Sequence, residues 1–543
     1  MDTEVDFVNL LGLLQSSDND IREEAEKNLN AIPPAQCLSL MIQSIASTQL
    51  EMTNRKFAAV LARRLLTTKF DTIGTMDPGE KESLKNQLVL IVHEAREEEL
   101  CKKVIDICDQ WTNPPLMAPK DPAAEWPRLL DLLGQYAQSE DQHYLTLAFY
   151  ILDRMPDILQ FDEHMQPIIE LFCKGLTCDN QHVVEASLKA IGSFIEENHD
   201  EEQIQSLVQP FLQGVATFMT HNPASEEPLK ALVKISDCCS ELLKPVLKET
   251  MEMSLQILTN EQLDICVRYL ALETMVTLSE NIPVAVRKTA KQFIPPLIEY
   301  LLRMICDLDE DPHWSTQEVP EDDDEGICTN LTSIALDRLA CSLNSCLITP
   351  KVLSTLSAML ESSDWKQRCG SLHAMAAISE GCRKKMGDML PTLVRAVCSK
   401  LTDPEPRVRY AACKALDEMS QELVPNIQKR HHATILPALS LLISDLCPRV
   451  QTMSCSALVA YCTNMPKSIL RTYLAQLVEL LEAVMKAKMR EITPEKGLMV
   501  LEEMLSTVTC LAEKMETDFA PYYDRFMPAL KVNPPFDSTL QFN

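Results

Sequence analysis

Leu401–Gln421 reads LTDPEPRVRYAACKALDEMSQ. Asp403-Pro404 is a turn signal, because proline fixes φ and suits the entry to a helix. Val408, Ala411, Ala412, Ala415, Leu416 and Met419 then fall at i, i+3, i+4, i+7, i+8 and i+11. That spacing is one apolar face of an α-helix, with Arg407, Arg409, Lys414 and Glu418 interleaved. Just upstream, residues 389–401 (MLPTLVRAVCSKL) read as a partner helix with Pro391 in its first turn. Two helices joined by a short polar turn cannot bury their apolar faces alone, so they must stack on other such pairs.

The stretch recurs. Its small anchor, Ala411, has counterparts at Gly370 (WKQRCGSLHAMAAISEG), Met453 (RVQTMSCSALVAY), Ala186 (HVVEASLKAIGSF), Ala231 (EPLKALVKISDCC) and Leu270 (CVRYLALETMVTL). Intervals of about 35–45 residues are the period of helical HEAT-type repeats. The partner helix recurs with a proline expected near its start, at Pro167, Pro210, Pro295, Pro391 and Pro437. Only 12 of 543 residues are glycine, which disfavours Gly-rich phosphate loops and tight hairpins, and no alternating strand pattern is present. The expected fold is all-α, a right-handed α-solenoid of about a dozen HEAT repeats.

The net charge of −29 argues against nucleic acid and anionic membrane as direct partners and for basic ones; the competing reading is an acidic surface that serves solubility alone. The N-terminus MDTEVDFVNL lacks the basic and apolar regions of a signal peptide, and no apolar stretch reaches about 18 residues. The 20 cysteines sit mostly on apolar helix faces, as at Cys398, Cys413 and Cys455, and form no zinc-type CxxC pairs. They read as reduced, buried thiols of an intracellular protein. His431-His432 have no acidic or Cys partner at ligand spacing, and GxSxG, HExxH and GxxxxGK[ST] are missing, so the chain is expected to be no enzyme and to carry no cofactor or metal.

Residues 1–113 hold less regular helix pairs, including IREEAEKNLN (21–30), NRKFAAVLARRLL (54–66) and LCKKVIDICDQW (100–111). A Pro-rich link at 114–127 resets the pattern, and the regular array runs over 128–531 with a tail at 532–543. One insertion interrupts it, 307–325 (DLDEDPHWSTQEVPEDDDE), which contains Asp307, Asp309, Glu310, Asp311, Glu321, Asp322, Asp323, Asp324 and Glu325 and no basic residue. A run so charged repels itself and is expected to be a solvated loop that does not pack. It lacks the EF-hand spacing and its central glycine.

Ten residues beyond the repeat anchors, with a further anchor near Ile327 after the insertion, stand Glu196, Glu241, Glu280, Asp337, Glu380 and, one further on, Glu422. Equivalent positions of stacked repeats line one surface, so these read as a ladder of negative charge near helix ends. Acid there opposes the helix macrodipole, which favours a function over chance; the alternative is a solvated face.

The AEKNL…AAVLARRL opening, the D-L-D-E-D-x-x-W insertion, SIALDRLAC (333–341), SDWKQRCGSLHAMAAISEGC (363–382) and PYYDRFMPALK (521–531) together resemble the importin-beta (karyopherin-beta) family of nuclear transport receptors, in its importin-five branch. Family members are about twice this length, so the chain resembles their N-terminal half. The resemblance implies a receptor that shuttles between cytoplasm and nucleus with basic, lysine-containing cargo such as ribosomal proteins or histones. It implies cargo contacts at Asp337, Glu380 and Glu422, while the family's neighbouring asparagine corresponds to Ala460 and that contact is missing. It further implies Ran-GTP on the N-terminal repeats, with Arg63, Arg64, Lys102, Lys103 and the acidic loop as candidates, and Phe-Gly nucleoporins in slots between outer helices. A HEAT scaffold of another class, such as a phosphatase scaffolding subunit, would share the repeats but not the opening or the insertion.

Overall fold

In the computed structural model, the described residues are 3–74, 76–112, 126–158, 162–316, 327–343, 345–491 and 498–531, and every regular element among them is helical. They fall into two compact units, Met1–Thr274 and Met275–Asn543, divided inside the helix Ile265–Asn281.

In the first unit the second helices of successive pairs are α1 (Met52–Gly74), α2 (Glu98–Thr112), α3 (Gln142–Arg154), α4 (Gln181–Glu197) and α5 (Glu227–Cys238). Each packs on the next, and first helices do likewise, Pro34–Ala46 on Pro78–Glu94 and Asp162–Leu176 on Gln205–His221. In the second unit the same layer consists of α6 (Ile327–Leu343), α7 (Trp365–Ala377), α8 (Pro406–Glu422), α9 (Pro448–Thr463) and α10 (Leu498–Met515), again stacked in order. Leu390–Lys400, Asn426–Leu442, Lys467–Glu491 and Ala520–Lys531 form the companion layer. Each unit is therefore an α-solenoid of HEAT-type helix pairs, as the periodicity requires.

The whole apolar face predicted for α8 is buried: Val408, Ala411, Ala412, Ala415, Leu416 and Met419. Its small residues let neighbouring helices approach, while each buried leucine or valine contributes about 1.5–3 kcal/mol. Helix starts are set by capping carboxylates and amides. Asp141 accepts from His143 N at 3.0 Å, Asn180 from His182 N at 2.9 Å and Asp364 from Lys366 N at 3.0 Å. Helix α8 begins later than the Asp403-Pro404 signal suggests, with Glu405 as cap and Pro406 in its first turn.

Asp403 has a different task. It accepts a forked pair of bonds from Arg368, at 2.8 and 2.9 Å, and Asp445 accepts the same pair from Arg409. Both carboxylates are largely covered, and Arg368 holds the Asp403 carboxyl below its ordinary range despite burial. Arg409 also donates to the carbonyls of Asp403 and Pro404. These arginines thus tie each turn to its neighbour, and neither belongs to a solvated face.

Two expectations need correction. Pro437 lies deep inside Asn426–Leu442, and Pro167 and Pro210 are also internal; only Pro295 and Pro391 sit in a first turn. A proline inside a helix forfeits one backbone bond, and packing on both neighbouring layers sustains the helix around it.

The acidic insertion is the second. Glu321–Glu325 lie outside the described residues, but 307–316 does pack. Leu308 and Trp314 are buried, while Asp307, Asp309, Glu310 and Asp311 remain exposed. Arg407 donates to the carbonyls of Asp309 and Asp311, and its guanidinium lies 5.2 Å from the Trp314 ring; Arg449 lies 4.9 Å from it and Tyr410 meets its edge at 5.5 Å. Lys366 reaches Glu310 at 3.4 Å. Two apolar anchors and borrowed cations hold a segment that its own charges would push into water.

Cys413 and Cys455 are buried and Cys398 half-buried. Desolvation pushes the Cys398 thiol up to about 11 and Cys455 to about 12, and it raises Cys413 well above its ordinary value, so none is a reactive thiolate. No helix among the described residues is long and apolar enough to cross a membrane.

Candidate functional site

The ladder of acids divides according to the partners each acid finds. In the first unit Glu196, in the last turn of α4, is paired with Lys234 of α5, and Glu241, in the 3-10 segment after α5, is paired with Lys244. In the second unit Glu280 accepts a fork from Arg338 Nε at 2.9 and 3.0 Å. Among the described residues, Asp337, Glu380 and Glu422 have no arginine or lysine within ion-pair distance. These three line one cleft of about 230 Å³, with Ser333, Ile334, His373, Ala376, Ala377, Lys414 and Glu418.

They reach the cleft by different routes, which corrects the expectation of helix-end acids. Glu422 closes α8, Glu380 lies in the turn after α7, and Asp337 is well inside α6. The macrodipole argument therefore holds for Glu422 and not for Asp337. Gly381 explains how Glu380 comes so close: a Cβ there would collide with the backbone of Ala340 and Cys341 on α6. Gly381→Ala is expected to force the turn off α6 at a cost of about 1–3 kcal/mol, measured by urea unfolding; an unchanged midpoint would show that the turn gives way freely.

The crowding shifts the acids of the cleft. Burial, then Glu380 and Glu280, raise the Asp337 carboxyl above its ordinary value, against a 3.5 Å bond from Cys341 Sγ. Glu418 is raised by desolvation and by Asp417, Glu422 and Asp337, with Lys414 opposing. Cys341 faces outward, yet desolvation, Asp337 and Glu380 push its thiol up to about 12. Ligand atoms of Asp337, Cys341 and Glu380 lie within 4.8 Å of one another, so a divalent cation could be held there only by displacing that firmly bound proton. Sequence reading found three acids of this cleft and missed Glu418 and Lys414, both visible one turn apart upstream of Glu422.

The four basic candidates lie in the first unit, on α1 and α2. Arg63 reaches Asp106 at 3.4 Å, Lys102 reaches Glu98 at 2.6 Å and Lys103 reaches Glu99 at 3.5 Å. Arg64 is exposed and forms no ion pair among the described residues.

Three protein-family models match parts of the chain, none of them half of it: one described as "IPO5-like, TPR repeats" over residues 116–253, "Importin repeat" over 260–350 and "Vacuolar 14 Fab1-binding region" over 366–489. Importin subunit beta-3 of Saccharomyces cerevisiae is 27% identical over 434 residues, 78% of this chain and 39% of the relative. A probable importin-5 homolog of Dictyostelium discoideum is 21% identical over 412 residues, 73% of this chain and 38% of the relative. Among solved structures, Kap121p bound to Pho4p superposes with a TM-score of 0.78 at 24% identity, covering 98% of this chain and 52% of that one. Kap121p bound to RanGTP gives 0.75 at 25% identity, covering 97% and 50%. A Kap121p mutant (TM-score 0.78, 24% identity, 97% and 50% covered) carries lysine in place of an aspartate, a glutamate and an aspartate spaced as Asp337, Glu380 and Glu422 are here. The chain spans about two-fifths of the curated relatives and about half of the solved ones. On its repeats and these matches together, the chain is similar to the importin-beta, or karyopherin, receptors.

Proposed function

We propose that this chain acts as a nuclear import receptor. The cleft of Asp337, Glu380 and Glu422 holds lysine side chains of cargo localisation signals, the receptor shuttles through the nuclear pore on Phe-Gly nucleoporins, and Ran-GTP at the N-terminal repeats releases the cargo. The observation that carries this reading is three carboxylates from three successive repeats converging on one cleft, with no lysine or arginine within ion-pair distance of any of the three among the described residues. An ammonium group is the ligand such clustered carboxylates suit, and Ile334, Ala376 and Ala377 offer apolar surface to a lysine stem. Solved complexes of Kap121p with Pho4p, with Nup53p and with RanGTP support the partner classes. Coupling would require only that cargo and Ran-GTP favour different curvatures of the repeat stack.

Fluorescence titration of a lysine-rich peptide, against the same peptide with glutamines, tests the site. Preferred binding of the lysine form, weakened by salt and reversed by Ran-GTP but not Ran-GDP, is expected; equal binding of both peptides sinks the reading. For Ran, Arg64 is the basic candidate with no ion pair among the described residues. Arg64→Glu is expected to weaken Ran-GTP by about tenfold in a pull-down series, and unchanged affinity would remove it from the contact.

A further inference from the structure

The cleft contains its own cation. Lys414, on α8, is the one lysine or arginine among the described residues lining it, and it shares the cleft with Asp337, Glu380, Glu418 and Glu422. It is half-buried, and it stands four residues before Glu418 and eight before Glu422 on the same helix. Lysine N-terminal to glutamate at this spacing is the weaker orientation of such a helix pair, so helix stability is a poor reason for it. Its charge acts at one end of the cleft: it draws down the Asp417 and Glu418 carboxyls, which burial raises, whereas Asp337 is raised by Glu380 and Glu280.

Resting on the cargo reading above, we infer that Lys414 is the resident counterion of the empty cleft: it shields the clustered carboxylates when no cargo is bound and opposes an incoming lysine when cargo arrives. The two effects have opposite signs. Shielding lets like charges from successive repeats sit together, which stabilises the stack. The same positive charge repels a peptide ammonium a few ångströms away. Lys414 therefore sets the affinity below what the four acids alone would reach and makes release easier.

The test is Lys414→Gln in the whole chain, with Lys414→Arg as the control that keeps the charge. The probe is a lysine-rich peptide titrated at low and at high ionic strength. Lys414→Gln is expected to bind it roughly 3–10-fold tighter at low salt, with the gain shrinking at high salt, while its Tm falls by about 1–3 °C. Lys414→Arg should match the wild type in both. Binding by Lys414→Gln at or below the wild-type level overturns the inference, and so does a gain that salt leaves untouched. If the alanine triple at Asp337, Glu380 and Glu422 loses the peptide while Lys414→Gln is unchanged, the cleft reading stands and the counterion falls. If neither the wild type nor Lys414→Gln binds the peptide, both fall.

Discussion

Replacing Asp337, Glu380 and Glu422 together by alanine is expected to weaken a lysine-rich peptide by roughly 3–5 kcal/mol, a loss of two to three decades or more in affinity. Each carboxylate sits in a half-open cleft and contributes about 1–2 kcal/mol, more than an exposed pair and less than a buried one. The comparison triple is Glu196, Glu241 and Glu280. These already neutralise Lys234, Lys244 and Arg338, so their removal should cost the peptide under about 1 kcal/mol while stripping partners from three cations. Equal losses in the two triples would mean diffuse charge, and no loss in either would leave the cleft a solvated face.

Stability adds an independent sign. Asp337 is raised above its ordinary value of 3.8, by burial first and then by Glu380 and Glu280. A raised carboxyl binds its proton more tightly in the folded chain. Its contribution is present below the ordinary value and is lost as pH rises through the raised one. At neutral pH the alanine triple should therefore unfold no earlier than the wild type. Peptide affinity of the wild type should decline on acidification before an ordinary aspartate would protonate, because a neutral carboxyl no longer attracts an ammonium.

The repeat was legible in the sequence because α8 writes its buried face in small and apolar residues at helical spacing. Asp337, Glu380 and Glu422 were legible because repeat stacking converts equal spacing into proximity. What spacing could not show was which acids are already paired. Arg338 and Lys234 come from neighbouring helices and carry no mark of their direction, so six ladder members looked alike. Arg409 read only as a charge interleaved with the apolar face because its partner, Asp445, lies in a turn one repeat on. The acidic insertion misled for a related reason. Averaging charge over the run hid one leucine and one tryptophan, and the cations that receive the tryptophan stand far off in the sequence, at Arg407 and Arg449.

That tryptophan carries the second large effect. Trp314 is 5% exposed, wedged against two guanidinium groups and the edge of Tyr410. Trp314→Ala removes the ring and leaves a cavity that the short segment 307–316 cannot fill from its own polar side chains. The expected cost is about 3–5 kcal/mol of unfolding free energy, of which each cation–π contact supplies about 0.5–2. Trp314→Phe keeps an apolar ring over both arginines and should recover at least half of it. The released segment should also exchange amide hydrogens and admit proteases faster than in the wild type. Peptide binding separates this role from the cleft. Arg407 and Tyr410 lie near the start of α8 and Glu422 closes it; over 17 residues the helix is about 25 Å long. Trp314→Ala should thus leave the affinity for a lysine-rich peptide within about threefold, since the acids stand at the far end of the helix. A stability loss below about 1 kcal/mol would show that the segment rests on the repeats without bracing them. A collapse of peptide affinity in a still-folded variant would show instead that the acidic segment and the cleft act as one device.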